Sequence, residues 1–223
     1  MPTHNEHIKA TATLLERNQK LRAHWVTIVG RKFLVGSNVF SPRIFNDTEL
    51  FAAHIPVIPG EYFCEIGCGC GAVGITAAYK GARKVLLLDI NPNACLTTRK
   101  NIALHGLQNV VEVRRSNIFS GIGRTAHFDT VFWNTPFDYT TASHLSLLEL
   151  SVFDPYYRAT KRFITQGSQR AERLLIGFSS TLGRLDLLSD ICGQAGRKLK
   201  LVYSEWSKEI LPVKFEIFEA KKL

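Results

Sequence analysis

The sequence predicts an α/β protein of the Rossmann-like, doubly wound kind: a seven-stranded, mostly parallel sheet with an antiparallel C-terminal strand, preceded by an N-terminal helix and β-hairpin. Three observations carry that expectation. From Glu61 onward, continuous apolar runs alternate with helical patterns, as parallel strands covered on both faces require. The run at Cys64 ends in Glu65 and is followed by glycine at every second position, Gly67, Gly69 and Gly71; such a turn lets backbone approach a ligand where a Cβ would clash. The last two apolar runs, Lys198–Ser204 and Val213–Glu219, are separated only by Glu205–Pro212. That link is too short for a helical crossover, so the two should pair antiparallel.

Residues 5–23 read as an amphipathic helix with Ile8, Ala12, Leu15 and Leu21 on one face. Trp25–Val29 and Lys32–Val35 flank Gly30-Arg31 as a β-hairpin. Ser37–Ile44 is a loop broken by Pro42, after which Asn46 or Asp47 caps a short helix through Ala53. Tyr62–Ile66 is a strand and Val73–Tyr79 a helix; Lys84–Ile90 is a strand, and Pro92 opens a helix running to His105. Val110–Val113 and Phe128–Trp133 are strands. A helix around Tyr156–Gln166 leads to the strand Arg173–Phe178, and Leu182–Ala195 is helical.

Composition narrows the function classes. With 223 residues, 45% of them hydrophobic, one well-buried core is expected. No apolar stretch approaches the ~20 residues of a membrane span, and the polar segment Met1–Ala10 lacks the apolar centre of a signal peptide. A cytoplasmic protein is the expectation. Five cysteines, three of them at Cys64, Cys68 and Cys70, fit neither a disulfide framework nor a zinc site with its second cluster, so no metal is expected. The net charge of +9, with clusters at Arg83-Lys84, Arg114-Arg115 and Arg197-Lys198-Lys200, leaves a nucleic-acid partner open. No RNA-binding motif accompanies it.

Three positions carry chemistry. Glu65 opens the glycine turn, where a carboxylate would repel a pyrophosphate but suits the hydroxyls and amino group of a nucleoside-like cofactor. This points to S-adenosylmethionine. Gly69, Gly71 and Gly74 also match a dinucleotide fingerprint, so an NAD(P)-dependent oxidoreductase stands as an alternative, without an evident hydride-transfer site. Asp89 ends the run Val85–Leu88, where an acid can accept both ribose hydroxyls; capping the following helix is its other role. Asn134-Thr135-Pro136-Phe137 follows another strand. There the Asn134 side-chain oxygen and the Thr135 carbonyl can accept from an NH₂ group, and Phe137 can either stack on a flat acceptor or fill the core.

Together, Glu65-x-Gly67-x-Gly69-x-Gly71, Asp89 and Asn134–Phe137 resemble the class I S-adenosylmethionine-dependent methyltransferases. The narrower likeness is to the small-domain group marked by Asn-Pro-Pro-Tyr/Phe, which includes release-factor glutamine, ribosomal-RNA guanine-N2 and adenine-N6 methyltransferases. The resemblance spans about Ser37 to Phe137, including Asn38–Pro42 and Thr48-Glu49-Leu50. It implies that Glu65 and the turn Gly67-Cys68-Gly69-Cys70-Gly71 hold the methionine part of the cofactor. Asp89 would take the ribose, Ile90 would lie against the adenine, and Asn117 would meet its amino group in place of the usual aspartate. Asn134 would orient the acceptor nitrogen, with Thr135, Pro136 and Phe137 completing the catalytic motif. Thr135 stands where the group has its first proline, and Phe137 where tyrosine is commoner. The implied activity is N-methylation of a planar amide or amino group on a protein, RNA or small molecule. Residues 1–45 would form an extension for acceptor recognition or a lid, and residues 46–223 the cofactor-binding domain. A non-catalytic RNA- or protein-binding module on the same fold is the remaining alternative.

Overall fold

The structure, a computed structural model, describes residues 2–208 and 210–223. In chain order the elements are α1 (His4–Gln19), β1 (His24–Ile28), β2 (Arg31–Val35), α2 (Asp47–His54), β3 (Tyr62–Ile66), α3 (Ala72–Tyr79), β4 (Lys84–Asp89), α4 (Pro92–Leu104), β5 (Val111–Arg115) and β6 (Phe128–Asn134). Then follow β7 (Asp138–Thr140), a 3₁₀ turn at Glu149–Ser151, β8 (Phe153–Pro155), α5 (Arg158–Ser168), β9 (Ala171–Phe178), α6 (Leu185–Gln194), β10 (Arg197–Lys208) and β11 (Pro212–Lys222).

The central sheet has seven strands in the order β10-β11-β9-β6-β3-β4-β5. Strand β11 runs antiparallel to both neighbours and the other pairings are parallel, as the sequence predicts. From β3 the chain winds outward through β4 to β5, then crosses back to place β6 on the other side of β3. A crevice must open at such a switch point, beyond the carboxyl ends of the strands. Register fixes what lines it: Ile66 pairs with Leu88 and with Trp133, and Asn134 with Gly177.

The central strands are buried on both faces, Val85–Asp89 and Leu174–Phe178 throughout, so hydrophobic burial on two sides holds them. The N-terminal hairpin belongs to the same core, with Ile28, Phe33 and Val35 almost wholly buried in it. Asn101 of α4 ties it down: its Oδ1 accepts from Leu34 N at 2.8 Å, and its Nδ2 donates to Leu34 O and Cys70 O, each at 2.8 Å. A second, smaller cluster joins Leu14 and Leu15 of α1 to Phe45, Leu148 and Val152.

Several details differ from expectation. Helix α1 starts at a capping box, in which Thr3 Oγ1 accepts from Glu6 N and Glu6 Oε2 from Thr3 N, and it stops at Gln19. Its buried face is His7, Thr11, Leu14, Leu15 and Asn18, while Ala12 is exposed and Leu21 lies past the helix. Asn18 decides the rotation, donating to Val39 O at 3.1 Å and accepting from Ser41 N at 2.9 Å. The hairpin turns at Val29-Gly30, both at positive φ, the two-residue turn that matches strand twist. Asn46 precedes α2 but makes no side-chain cap. Strands β10 and β11 extend well into the region read as a link, with Glu205 opposite Phe215. Strands β7 and β8, which pair parallel, have no counterpart in the sequence reading.

Asp138 of β7 is buried beneath α1. The Thr11 hydroxyl lies close enough to favour its charged form slightly, yet neither carboxylate oxygen has a hydrogen-bond partner. Burial pushes it up to about 7, against ~3.9 in an unfolded chain. Between those values the folded protein binds the extra proton, so stability falls as pH rises through this window. Asp138→Asn is therefore expected to stabilise the protein at pH 8 by about 1–3 kcal/mol, the scale of an unsatisfied buried group. That corresponds to a rise in Tm of roughly 2–10 °C, shrinking to nothing by pH 4. Thermal melts at both values check it; an Asp138→Asn protein less stable than wild type at pH 8 would contradict it.

Candidate active site

A cavity of about 620 Å³ opens at the switch point, and Glu65, the glycine turn, Asp89 and Asn134 line it. Its wall also includes Val39, Phe40 and Thr48 and residues of the stretch between Thr141 and Arg162. Each alternate glycine of the turn has positive φ: 64° at Gly67, 57° at Gly69 and 82° at Gly71. Side chains rarely adopt that conformation. At Gly67 the space is also closed, since a Cβ would come 2.7 Å from Trp133 Nε1. Gly74, in the first turn of α3, is excluded from growth by Leu87 and by Glu65 Oε2.

Glu65 is buried and accepts from Gly74 N at 2.8 Å, which satisfies one of the free N–H groups at the start of α3. Burial and the neighbouring Asp89 hold its carboxyl well above the usual carboxylate range. Asp89 is held by backbone alone: Gly69 N donates to Oδ2 at 2.9 Å and Asn91 N to Oδ1 at 2.8 Å. Burial pushes it up to about 6. Each of its oxygens keeps a further acceptor position. Capping of α4 falls to Asn91, whose side chain accepts from Asn93 N at 3.0 Å. Asp89, with a free acceptor position on each oxygen, suits a ligand that offers hydroxyls, and acidic side chains at the turn favour a cation over a pyrophosphate. The site therefore fits S-adenosylmethionine, with its sulfonium and ammonium charges.

Cys68, Ile90 and Asn117 also line the cavity. Asn117 is exposed at the rim, where Arg162 Nη1 donates to its Oδ1 at 3.4 Å. Gly71 lies behind the turn at the N-cap of α3, against Thr98. All five cysteines are buried and unpaired, and burial raises the Cys68 thiol and pushes Cys70 up to about 12. Such thiols act as packing groups rather than nucleophiles.

In the Asn134–Phe137 motif the structure separates four residues that the sequence groups. Asn134 and Pro136 line the cavity. The Thr135 side chain turns away: its N–H and hydroxyl both donate to Gly177 O, at 3.1 and 2.8 Å. Those two bonds anchor Thr135 to β9. Phe137 is a correction. It packs in the core against Phe178 and Phe215, with ring centroids 6.0 and 5.9 Å apart, and does not reach the cavity. The aromatic residues that do line the cavity are Phe40, Trp133 and Tyr156. The residue that sequence reasoning missed is Asp47, whose Oδ2 accepts from Asn134 Nδ2 at 2.7 Å.

Comparison with known proteins identifies the family. The family profile described as the methyltransferase small domain matches residues 30–154, and the chain belongs to that family. The ribosomal protein L11 methyltransferase of Geobacillus kaustophilus is 32% identical over 120 residues, which are 52% of this chain and 35% of that protein. The chain thus spans about a third of that relative's length. Among solved structures, a T. thermophilus 16S rRNA N2 methyltransferase in complex with AdoMet and guanosine superposes with a TM-score of 0.64 at 18% identity, over 91% of this chain and 50% of that one. An M. jannaschii tRNA methyltransferase gives 0.63 at 17% identity, over 92% and 58%. At these identities the likeness shows the fold alone.

Proposed function

We propose that this chain is an N-methyltransferase that uses S-adenosylmethionine to modify a planar amide or amino group on an RNA or protein acceptor. The observation that carries the reading is Asn134, at the cavity, with its amide nitrogen tied to Asp47 and its Oδ1 buried without a partner. Buried polar atoms without a partner are uncommon, and this one belongs to a side chain that lines the cavity. S-adenosylmethionine supplies an electrophilic methyl group when bound. Glu65 and the glycine turn would hold its amino-acid end and Asp89 its ribose diol. Ile90 would cover one face of the adenine and Asn117 approach its edge. Asn134 would accept an N–H of the acceptor and so aim the nitrogen lone pair. Trp133, Phe40 and Tyr156 offer flat apolar surface for a planar group, and Arg158 stacks over Tyr156 with its guanidinium carbon 5.0 Å from the ring centroid. No strong base is required, because the nitrogen releases its proton only after the methyl has arrived. Alignment carries such a reaction and can contribute roughly 7–11 kcal/mol at best.

Residues 1–45 fit acceptor recognition. Leu14 and Leu15 of α1 pack on Leu148 and Val152, in the same stretch as Phe153, which lines the cavity. Among the described residues no helix is long and apolar enough to cross a membrane; a cytoplasmic enzyme fits this reading. The test is tritiated-methyl transfer from S-adenosylmethionine to the RNA and protein fractions of a cell extract, with the product hydrolysed and identified. An N-methyl nucleoside or N-methyl amino acid is expected. Label only in carboxyl esters, or in neither fraction, would overturn the proposal.

A further inference from the structure

The Asn134 amide is nearly symmetric in shape but not in chemistry, because one end donates and the other only accepts. To receive an acceptor N–H it must present its oxygen, and something has to prevent the amide from turning over. The group positioned to do so lies 87 residues earlier in the chain, at the start of α2. We infer that Asp47 is a positioning residue for methyl transfer, its carboxylate locking the Asn134 amide with the nitrogen toward α2 and the oxygen left for the acceptor. The inference rests on the methyltransferase reading above.

An ionised carboxylate has no proton to give, so it accepts from Nδ2 and repels Oδ1. The 2.7 Å bond thereby selects one of the two amide orientations. Asp47 is only 3% exposed, so water does not compete for the bond. The groups acting on its carboxyl are Asn134, the backbone N–H groups of Asp47 and Thr48, and the Thr48 hydroxyl. All are neutral, and all favour the charged form. On the other side of the amide, a Cβ at Gly177 would come 3.2 Å from Oδ1 and 3.1 Å from Phe51 Cζ. Gly177 and Phe51 close around the oxygen, which has almost no accessible surface in the ligand-free protein, so the amide must swing toward the cavity before an acceptor reaches it.

Desolvation pushes Asp47 up to about 6. Above that pH the lock is set. Below it, a neutral carboxyl can donate to Oδ1 as readily as it accepts from Nδ2, and the selection is lost. Asp89 is pushed to about the same value and Asp138 to about 7. An acid limb in the wild-type rate is therefore diagnostic only if it depends on Asp47.

Asp47→Asn keeps the size and a hydrogen bond but cannot choose an orientation. In the 223-residue chain, transfer of tritiated methyl to cell-extract acceptor is expected to fall about 100-fold in kcat, the scale of a misplaced reacting group. Binding of S-adenosylhomocysteine should stay within about twofold, and the rate should lose its acid limb near pH 6. A second measurement needs neither the variant nor an acceptor. In ¹⁵N-labelled wild-type protein, the Asn134 side-chain NH₂ resonances, assigned by their loss in Asn134→Ser, should move with an apparent pKa near 6 between pH 5 and 8. Near-wild-type transfer by Asp47→Asn with its acid limb intact overturns the inference, as does an Asn134 NH₂ signal that ignores pH. If wild-type protein transfers no methyl while that signal titrates, the activity reading falls and the amide lock stands.

Discussion

Asn134→Ala is expected to lower kcat by about 10²–10³-fold, the loss typical of removing one preorganised hydrogen-bonding group from a reacting centre. Binding of S-adenosylhomocysteine should change by less than about twofold. The split follows from where the groups sit. Glu65 lies one residue before the end of β3, Asp89 ends β4, and the glycine turn joins β3 to α3, so none of these groups is held by Asn134. Asn134, at the end of β6, lines the same cavity, and on the proposed reading it meets the acceptor. The substitution also strands Asp47, whose carboxylate loses its shortest partner. A buried acceptor left unpaired costs about 1–3 kcal/mol, so Tm at pH 8 should fall by roughly 2–10 °C. At pH 5, where Asp47 is mostly protonated, the penalty should be smaller. Single-turnover rates, calorimetry with S-adenosylhomocysteine and melts at the two pH values separate the three effects. An unchanged rate, or a loss arising wholly from weaker cofactor binding, would remove Asn134 from the chemistry.

What can be read from the sequence and what cannot divide along a physical line. Strands buried on both faces announce themselves as unbroken apolar runs, so Val85–Leu88 and Leu174–Phe178 are legible, and the alternate glycines mark the turn. Local chemistry of this kind needs no knowledge of the rest of the chain. Contacts between distant segments are different. The Asp47–Asn134 bond spans 87 positions and leaves no trace in spacing, and Asp47 reads as an ordinary helix cap. Asn18 grips the backbone at Val39 and Ser41, so the buried face of α1 is rotated from the one that hydrophobic periodicity selects, sharing Leu15 but not Ala12. Phe137 shows the same limit. An aromatic ring after a strand reads identically whether it faces a ligand or the core, and here Phe178 and Phe215 claim it. Strands β7 and β8, three residues each, are too short to show any period.

Asp89→Ala is expected to weaken S-adenosylmethionine binding by about 10²–10⁴-fold, as two hydrogen bonds from ribose hydroxyls to a charged acceptor are worth about 1.5–3 kcal/mol each. Part of that loss is indirect. Asp89 also receives Gly69 N and Asn91 N, so removing it frees one end of the glycine turn and the start of α4. Asp89→Asn separates the two contributions: it retains one accepting oxygen and most of the volume but forfeits the charge. The sign of the pH effect is fixed by burial, which raises Asp89 to about 6, above the ~3.9 of an unfolded chain. At pH 8 the ligand-free fold therefore carries a desolvated charge that its two backbone donors only partly satisfy, and ribose hydroxyls would relieve it. Cofactor affinity should accordingly rise from pH 5 to pH 8 in the wild type and stay nearly level in Asp89→Asn. The same variant should match or exceed the wild type in ligand-free stability at pH 8 while binding more weakly. Greater stability with poorer binding marks a carboxylate kept for its ligand. A variant that lost stability and affinity in parallel would instead make Asp89 a structural clasp for the turn, and the ribose would need another partner.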